Sequence, residues 1–173
     1  MEPSLVIRLV VSALVLYLPA YLANMAPPLA RFLGIPGDKP ISVKTFGAQQ
    51  TYRVFLAAAV ASVAAALTMW GPRPCWYADH APGWAAFAGF LLGLGAMTGD
   101  AAKSAVKRLV GIRPGQPFFP WDQIDFILGS TLFLLPLVAM PMPVFLTALL
   151  ITPLLHLLVN VGAYWVGLKD VWW

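Results

Sequence analysis

Long apolar runs separated by two polar segments form the dominant pattern of this sequence. Five runs are predicted to cross a membrane as helices, and they cover residues 5–29, 54–70, 84–98, 126–140 and 143–168. A helix needs roughly 20 predominantly apolar residues to span a bilayer. The pattern therefore predicts an all-α integral membrane protein with five transmembrane helices, built as a single domain over residues 1–173.

Prolines and charges set further expectations for these runs. Pro19 and Pro153 predict kinks in the first and the last run, because proline lacks the backbone N–H that a helix interior uses. Pro27 and Pro28 predict the end or a distortion of the first run. The third run leads directly into charged residues, which indicates that its helix extends beyond the bilayer.

The composition excludes an ordinary soluble domain. Hydrophobic residues make up 60% of the chain, charged residues make up 10%, and the mean hydropathy is +0.79, whereas soluble domains carry about 25% charged residues. The single cysteine, Cys75, excludes an internal disulfide. His156 lies in an apolar run, where hydrogen-bonded packing is favoured over a role as proton relay.

Most cations lie in the two polar segments, at residues 31–53 and 99–125, and near the C-terminus. This set contains nine of the 11 Lys and Arg residues. Its members are Arg31, Lys39, Lys44, Arg53, Lys103, Lys107, Arg108, Arg113 and Lys169. Arg8 and Arg73 fall on the other side of the predicted membrane. The positive-inside rule therefore places both polar segments and the C-terminus in the cytoplasm, with the N-terminus outside.

The second polar segment begins with residues that share one face of a helix. At about 100° per residue, the side chains on this face are Asp100, Lys103, Ser104, Lys107 and Arg108. A basic helix that anchors the membrane surface would explain the cations. It would not explain the carboxylates, because acidic residues contribute little to membrane topology.

Three of the seven acidic residues, Asp100, Asp122 and Asp125, lie in this same segment. Asp122 and Asp125 are three residues apart, so they share a face if the segment is helical. Carboxylates at a membrane boundary need a partner, and Mg²⁺ is a suitable one. Because Lys and Arg bind phosphate oxygens, the combination indicates phosphoryl or nucleotidyl transfer with one or two metal ions.

The first polar segment offers candidate substrate-binding residues of its own. They are Asp38, Lys44, Thr51 and Arg53. The segment is too short to form an independent domain, so these residues are expected to act together with the second segment at the cytoplasmic face.

These motifs resemble the signature of the CTP-dependent phosphatidate cytidylyltransferases. Gly99-Asp100 comes first, Ser104-Ala-Val-Lys-Arg108 follows, and after a Pro- and Gly-containing turn comes Asp122-Gln-Ile-Asp125. The five-span layout is most similar to the archaeal branch, whose first cytoplasmic loop ends in Lys-Thr-Trp-Arg-Gly. The matching stretch here is Gln-Thr-Tyr-Arg-Val at residues 50–54, so Gln50 stands in the place of Lys.

The resemblance implies a reaction at the cytoplasmic face of the cell membrane, in phospholipid biosynthesis. CTP would give CMP to an isoprenoid ether-lipid phosphate, 2,3-bis-O-(geranylgeranyl)-sn-glycerol 1-phosphate, forming CDP-archaeol and pyrophosphate. Mg²⁺ would be held by Asp100, Asp122 and Asp125. The catalytic residues that the resemblance implies are Asp100, Lys103, Ser104, Lys107 and Arg108. The protein is not expected to bind nucleic acid.

Other interpretations share parts of this pattern. A CTP-dependent polyprenol or phytol kinase would transfer the γ-phosphoryl group to an alcohol, with Asp122 or Asp125 as the base. A non-catalytic transporter or lipid-binding subunit would favour ionisable residues inside the spans, where this sequence has almost none. A CDP-alcohol phosphotransferase would carry Asp-Gly-x-x-Ala-Arg, which this sequence lacks.

Overall fold

The structure is a computed structural model that describes residues 3–72, 74, 76–113 and 116–167. Its helices are α1 (Pro3–Phe32), α2 (Val43–Phe46), α3 (Tyr52–Trp70), α4 (Pro82–Leu109), α5 (Trp121–Leu134) and α6 (Met142–Trp165). Arg73, Cys75, Pro114, Gly115, Lys169 and the end of the last predicted run at residue 168 lie outside the described residues.

Four of these helices, α1, α3, α4 and α6, are long and apolar enough to cross a membrane. They confirm an all-helical membrane protein. α4 continues from the apolar run through Asp100 to Leu109, so the predicted helical extension is confirmed. The run at 126–140 differs, because α5 has only 14 residues and ends at Leu134, where turns begin.

The predicted prolines lie inside helices. α1 continues through Pro19, Pro27 and Pro28 to Phe32, so Pro27 and Pro28 do not end this helix, and the predicted kinks and distortion stay predictions. Pro153 likewise lies inside α6. Membrane helices tolerate proline because neighbouring helices and hydroxyl side chains can satisfy the backbone groups that proline leaves unpaired.

Close contact between glycines fixes α4 against α5. Gly95 and Gly99 of α4 face Gly129 of α5, and a Cβ atom built at Gly99 would lie 2.3 Å from the carbonyl oxygen of Asp125. Residues 95 and 99 meet residues 129 and 125, so the two helices run antiparallel. The end of α4 and the start of α5 therefore lie side by side.

We expect Gly129→Ala to destabilise the protein, because the new methyl group would lie 2.1 Å from the carbonyl oxygen of Gly95. Overpacking of this kind costs about 1–3 kcal/mol. Thermal unfolding of the purified protein in detergent measures the effect. Gly162→Ala is the matched control, since a Cβ atom there meets nothing within 4 Å. Equal unfolding temperatures for the two variants would contradict the packing described here.

Side-chain hydrogen bonds tie α1 to α5 and α6. The Tyr17 hydroxyl contacts Thr131 Oγ1 at 2.5 Å, and the Tyr21 hydroxyl contacts Thr152 Oγ1 at 2.7 Å. In α6, His156 Nδ1 lies 3.1 Å from the side-chain nitrogen of Asn160, which agrees with a packing role for this histidine. The bundle thus brings the end of α1, the start of α3, the end of α4 and the start of α5 to one end of the molecule.

Candidate active site

The three predicted aspartates meet at this end of the bundle. Asp100 lies on α4, and Asp122 and Asp125 lie in the first two turns of α5. The ammonium nitrogen of Lys103 lies 2.6 Å from Asp100 Oδ1, 2.8 Å from Asp125 Oδ2 and 3.2 Å from Asp122 Oδ1. The three aspartates thus lie together, as the motif spacing predicted. The Lys103 ammonium group lies between their carboxylates.

Lys107 holds Asp122 from the other side. Its ammonium nitrogen lies 3.2 Å and 3.3 Å from the two carboxylate oxygens of Asp122, and it also donates to the carbonyl oxygen of Gln116. The backbone N–H of Phe118 donates to Asp122 Oδ2 at 2.5 Å. Asp122 is therefore fixed by the loop before α5 as well as by α4. We call Asp100, Lys103, Lys107, Asp122 and Asp125 the acid–lysine cluster.

The acid–lysine cluster carries a formal charge of −1, from three carboxylates and two ammonium groups. Burial would raise the pKa of Asp122, but Lys103, the N–H of Phe118 and Lys107 outweigh it and lower the pKa below its usual value. Asp125 is only 6% exposed. Burial, opposed by Lys103 and reinforced by the charge of Asp100, raises the pKa of Asp125 to about 7.

The other two residues of the predicted polar face, Ser104 and Arg108, are half-buried on α4. Arg108 Nε is buried and has no hydrogen-bond partner among the described residues. Arg113 lies beyond the end of α4 and is exposed. The structure therefore places Ser104 and Arg108 on the helix that carries the acid–lysine cluster, and Arg113 on the surface.

The loop between α1 and α3 folds back onto itself before it reaches the site. Pro40 and Thr51 form an isolated antiparallel bridge, and the N–H of Ile41 donates to the carbonyl oxygen of Gln50 at 2.8 Å. This fold brings the Gln50 side chain to α4, where its amide nitrogen donates to Asp100 Oδ2. Gln50 was not among the predicted site residues, although its place in the loop motif was a signal that could have identified it.

The four loop residues predicted to bind substrate make contacts within the loop or at its surface. Arg53 is buried, donates to the carbonyl oxygen of Ile35 and forms an ion pair with the exposed Asp38. The hydroxyl of Thr51 caps α3 by accepting from the N–H of Val54 at 3.3 Å. Lys44 is exposed on α2. In this structure, Arg53 and Thr51 hold the loop in place, and contact with a substrate stays a prediction.

The chemistry of the acid–lysine cluster suits a divalent cation. Its three carboxylates already surround a positive charge, and Mg²⁺ prefers oxygen ligands. Asp125 Oδ2 is buried and accepts no hydrogen bond of regular geometry from the described residues, although Lys103 lies at ion-pair distance. Among the described residues, no three acidic, His or Cys side chains are arranged as a preformed metal site. The aspartates contact Lys103 instead.

Fold and site together define an integral membrane protein with an acid–lysine cluster at one end of a helical bundle. The chain belongs to the CDP-archaeol synthase family, since residues 6–173 match the model of the CarS-like family, described as CDP-archaeol synthase. This membership confirms the resemblance seen in the sequence motifs.

Individual relatives support the family assignment. The chain is 33% identical to the CDP-archaeol synthase of Methanoculleus marisnigri over 90% of this chain and 99% of the relative. It is 34% identical to that of Methanopyrus kandleri over 90% and 89%. It is 44% identical to that of Methanothermobacter thermautotrophicus, where the match spans 47% of this chain and about half, 48%, of the relative.

A solved structure has the same fold. It belongs to an intramembrane enzyme of archaeal membrane lipid biosynthesis, and it is 29% identical to this chain. The two structures superpose with a TM-score of 0.75 over 88% of this chain and 94% of that one. The helical arrangement that brings the acid–lysine cluster together is therefore shared with a membrane enzyme of known structure.

Proposed function

We propose that this protein is a CTP-dependent cytidylyltransferase. It transfers CMP from CTP to 2,3-bis-O-(geranylgeranyl)-sn-glycerol 1-phosphate and forms CDP-archaeol and pyrophosphate. Family membership supports the reaction class. The observation that carries the proposal is the convergence of Asp100, Asp122 and Asp125 within 3.2 Å of one cationic nitrogen.

The reaction needs charge neutralisation more than a general base. An oxygen of the lipid phosphate attacks the α-phosphorus of CTP, the bond from that phosphorus to the bridging oxygen breaks, and pyrophosphate leaves. A phosphate monoester has a second pKa of about 6, so the nucleophile is largely a dianion at neutral pH. The two histidines of the chain, His80 and His156, both lie outside the polar segments.

Asp100, Asp122 and Asp125 would hold Mg²⁺, which would supply positive charge between the lipid phosphate and the triphosphate. The flexible stem of Lys103 lets its ammonium group leave the carboxylates and bind phosphate oxygens instead. Lys107, Arg108 and Ser104 follow on the same helix and complete the contacts to the triphosphate or the departing pyrophosphate. Asp38, Lys44, Thr51 and Arg53, in the loop before α3, would contribute contacts to the substrates.

The site faces the cytoplasm in this proposal. CTP is water-soluble, and the lipid chains stay in the bilayer, so the two substrates can meet only at the membrane surface. Most of the cations gather at the same end as the acid–lysine cluster, as the positive-inside rule requires of a cytoplasmic face. We place the N-terminus outside and residues 126–140, which begin within α5, across the membrane as the fifth span.

The products of the reaction test the proposal. Purified protein in detergent, given CTP, Mg²⁺ and the ether-lipid phosphate, should release pyrophosphate and yield a lipid heavier by one cytidylyl group (CMP less one water), as measured by mass spectrometry. The same lipid with a free hydroxyl in place of the phosphate should not react. Formation of CDP together with a phosphorylated lipid would identify a kinase and contradict the proposal.

We expect Arg113→Ala to retain nearly full activity. Arg113 is exposed beyond the end of α4 and lies outside the acid–lysine cluster. Surface substitutions of this kind change free energies by about 0.5 kcal/mol or less, which is roughly a factor of two in rate. Steady-state rates at saturating CTP measure the effect. An inactive Arg113→Ala protein that still folds would place this arginine in the site.

A further inference from the structure

Gln50 is a buried polar residue at the edge of the acid–lysine cluster. It is only 4% exposed, and the loop fold that ends in the Pro40–Thr51 bridge holds its backbone. Its amide nitrogen donates to Asp100 Oδ2, while Lys103 binds Oδ1 of the same carboxylate at 2.6 Å. Gln50 and Lys103 therefore contact the two different oxygens of Asp100, and the Gln50 side chain lies at the edge of the cluster.

The orientation of the Gln50 amide is set by its partner. A carboxylate only accepts hydrogen bonds, so the NH₂ group must face Asp100 and the carbonyl oxygen must point elsewhere. That oxygen, Oε1, is buried and has no hydrogen-bond partner among the described residues. A buried acceptor without a hydrogen-bond partner is unfavourable unless a ligand supplies that partner.

A divalent cation is the partner that fits this oxygen. Amide carbonyl oxygens are ligands for hard divalent cations, alongside carboxylates. The neighbouring groups are three carboxyl and two ammonium groups, whose formal charge of −1 favours a bound cation. A neutral oxygen at Gln50 adds a ligand without adding charge.

We propose that Gln50 is part of the cation site: its amide nitrogen orients Asp100, and its carbonyl oxygen is a neutral oxygen ligand for the divalent cation. This inference rests on the proposed function, in which the three aspartates hold that cation. It assigns to the first polar segment a direct role at the cation, although none of the four loop residues predicted from the sequence contacts the acid–lysine cluster.

Two variants separate the roles of the two amide atoms. Gln50→Leu removes the nitrogen donor and the oxygen, whereas Gln50→Glu removes the donor and keeps an oxygen at the same place. The probe is Mn²⁺ alone, titrated into purified protein in detergent without CTP or lipid, with free Mn²⁺ measured by electron paramagnetic resonance. Gln49→Leu is the matched control, because Gln49 is the adjacent residue of the same type and is exposed.

We expect Gln50→Leu to bind Mn²⁺ about tenfold more weakly, in the range found when a supporting contact of a metal site is lost. Gln50→Glu should bind at least as tightly as the unaltered protein, and Gln49→Leu should bind equally. Unchanged affinity in Gln50→Leu would overturn the inference. If Gln50→Leu and Gln50→Glu lowered the Mn²⁺ affinity equally, the role of the oxygen would also be overturned. The lost affinity would then be due to the side-chain nitrogen, which both variants lack.

A different pattern of Mn²⁺ binding would show that the proposed function itself is wrong. If Asp100→Asn binds Mn²⁺ as tightly as the unaltered protein, or the unaltered protein binds none, the carboxylate site itself is wrong. Loss of binding in Asp100→Asn with unchanged binding in Gln50→Leu would overturn only the role of Gln50. Thermal unfolding without Mn²⁺ confirms that each variant is folded. If Gln50→Leu does not fold, Gln50→Glu decides alone, and weaker binding than the unaltered protein would overturn the inference.

Discussion

Asp100→Asn, Asp122→Asn and Asp125→Asn are each expected to abolish CMP transfer while the protein still folds and inserts into the membrane. All three carboxylates contact Lys103, and together they provide the negative charge that holds a divalent cation. Asparagine keeps the shape of aspartate but removes the charge. Loss of preorganised charge at a reacting phosphate costs about 10²–10³ in rate for a single group, and a lost metal ion costs more.

The measurement is pyrophosphate release at saturating CTP, with expression and elution volume in detergent as the test of folding. Asp79→Asn is the matched control, because Asp79 is exposed in the connection between α3 and α4, at the opposite end of the bundle from the acid–lysine cluster. It should keep the rate of the unaltered protein. Near-normal rates in all three site variants would show that the carboxylates do not hold an essential cation.

Lys103→Met should have the second-largest effect, on stability as well as on rate. Lys103 lies between the three carboxylates and is largely buried, with 13% of its side chain exposed. Without the ammonium group the carboxylates repel one another, and breaking a buried ion pair costs about 3–5 kcal/mol. We expect a lower unfolding temperature without Mg²⁺ and a rate reduced at least about 100-fold.

Added Mg²⁺ should raise the unfolding temperature of Lys103→Met more than that of the unaltered protein. A ligand that binds only the folded state stabilises it, and in this variant no ammonium group competes for the carboxylates. Lys39→Met is the control, since Lys39 is exposed in the loop before α3. If Lys103→Met unfolds at the same temperature as the unaltered protein without Mg²⁺, the ion pairs described here do not stabilise the fold.

Much of the fold follows from hydrophobic pattern and length. The four long helices could be predicted because each contains an apolar run close to the length that crosses a bilayer. The end of α5 was missed because the run stays apolar to residue 140, although Pro136 lies in the turns at residues 135–138 and proline is unfavourable inside a helix. Pro27 and Pro28 do not end α1, because neighbouring helices and side chains can satisfy the backbone groups that proline leaves unpaired.

The site could be predicted in part, for similar reasons. The convergence of Asp100 with Asp122 and Asp125 followed from the motif and its spacing. The central position of Lys103 did not, because it depends on how closely α4 and α5 approach at Gly99 and Gly129. The loop before α3 was the least predictable part. Its bridge and turns bring Gln50 to Asp100, and sequence periodicity carries no information about such contacts.

The most direct test of the account is the position of a divalent cation in crystals of the protein grown with Mn²⁺ and CTP. Anomalous scattering locates Mn²⁺ without reference to the protein model. We expect an anomalous peak in contact with the carboxylates of Asp100, Asp122 and Asp125, with the Lys103 ammonium group moved away from their centre. A peak elsewhere, or Lys103 still between the three carboxylates in crystals with bound CTP, would contradict it.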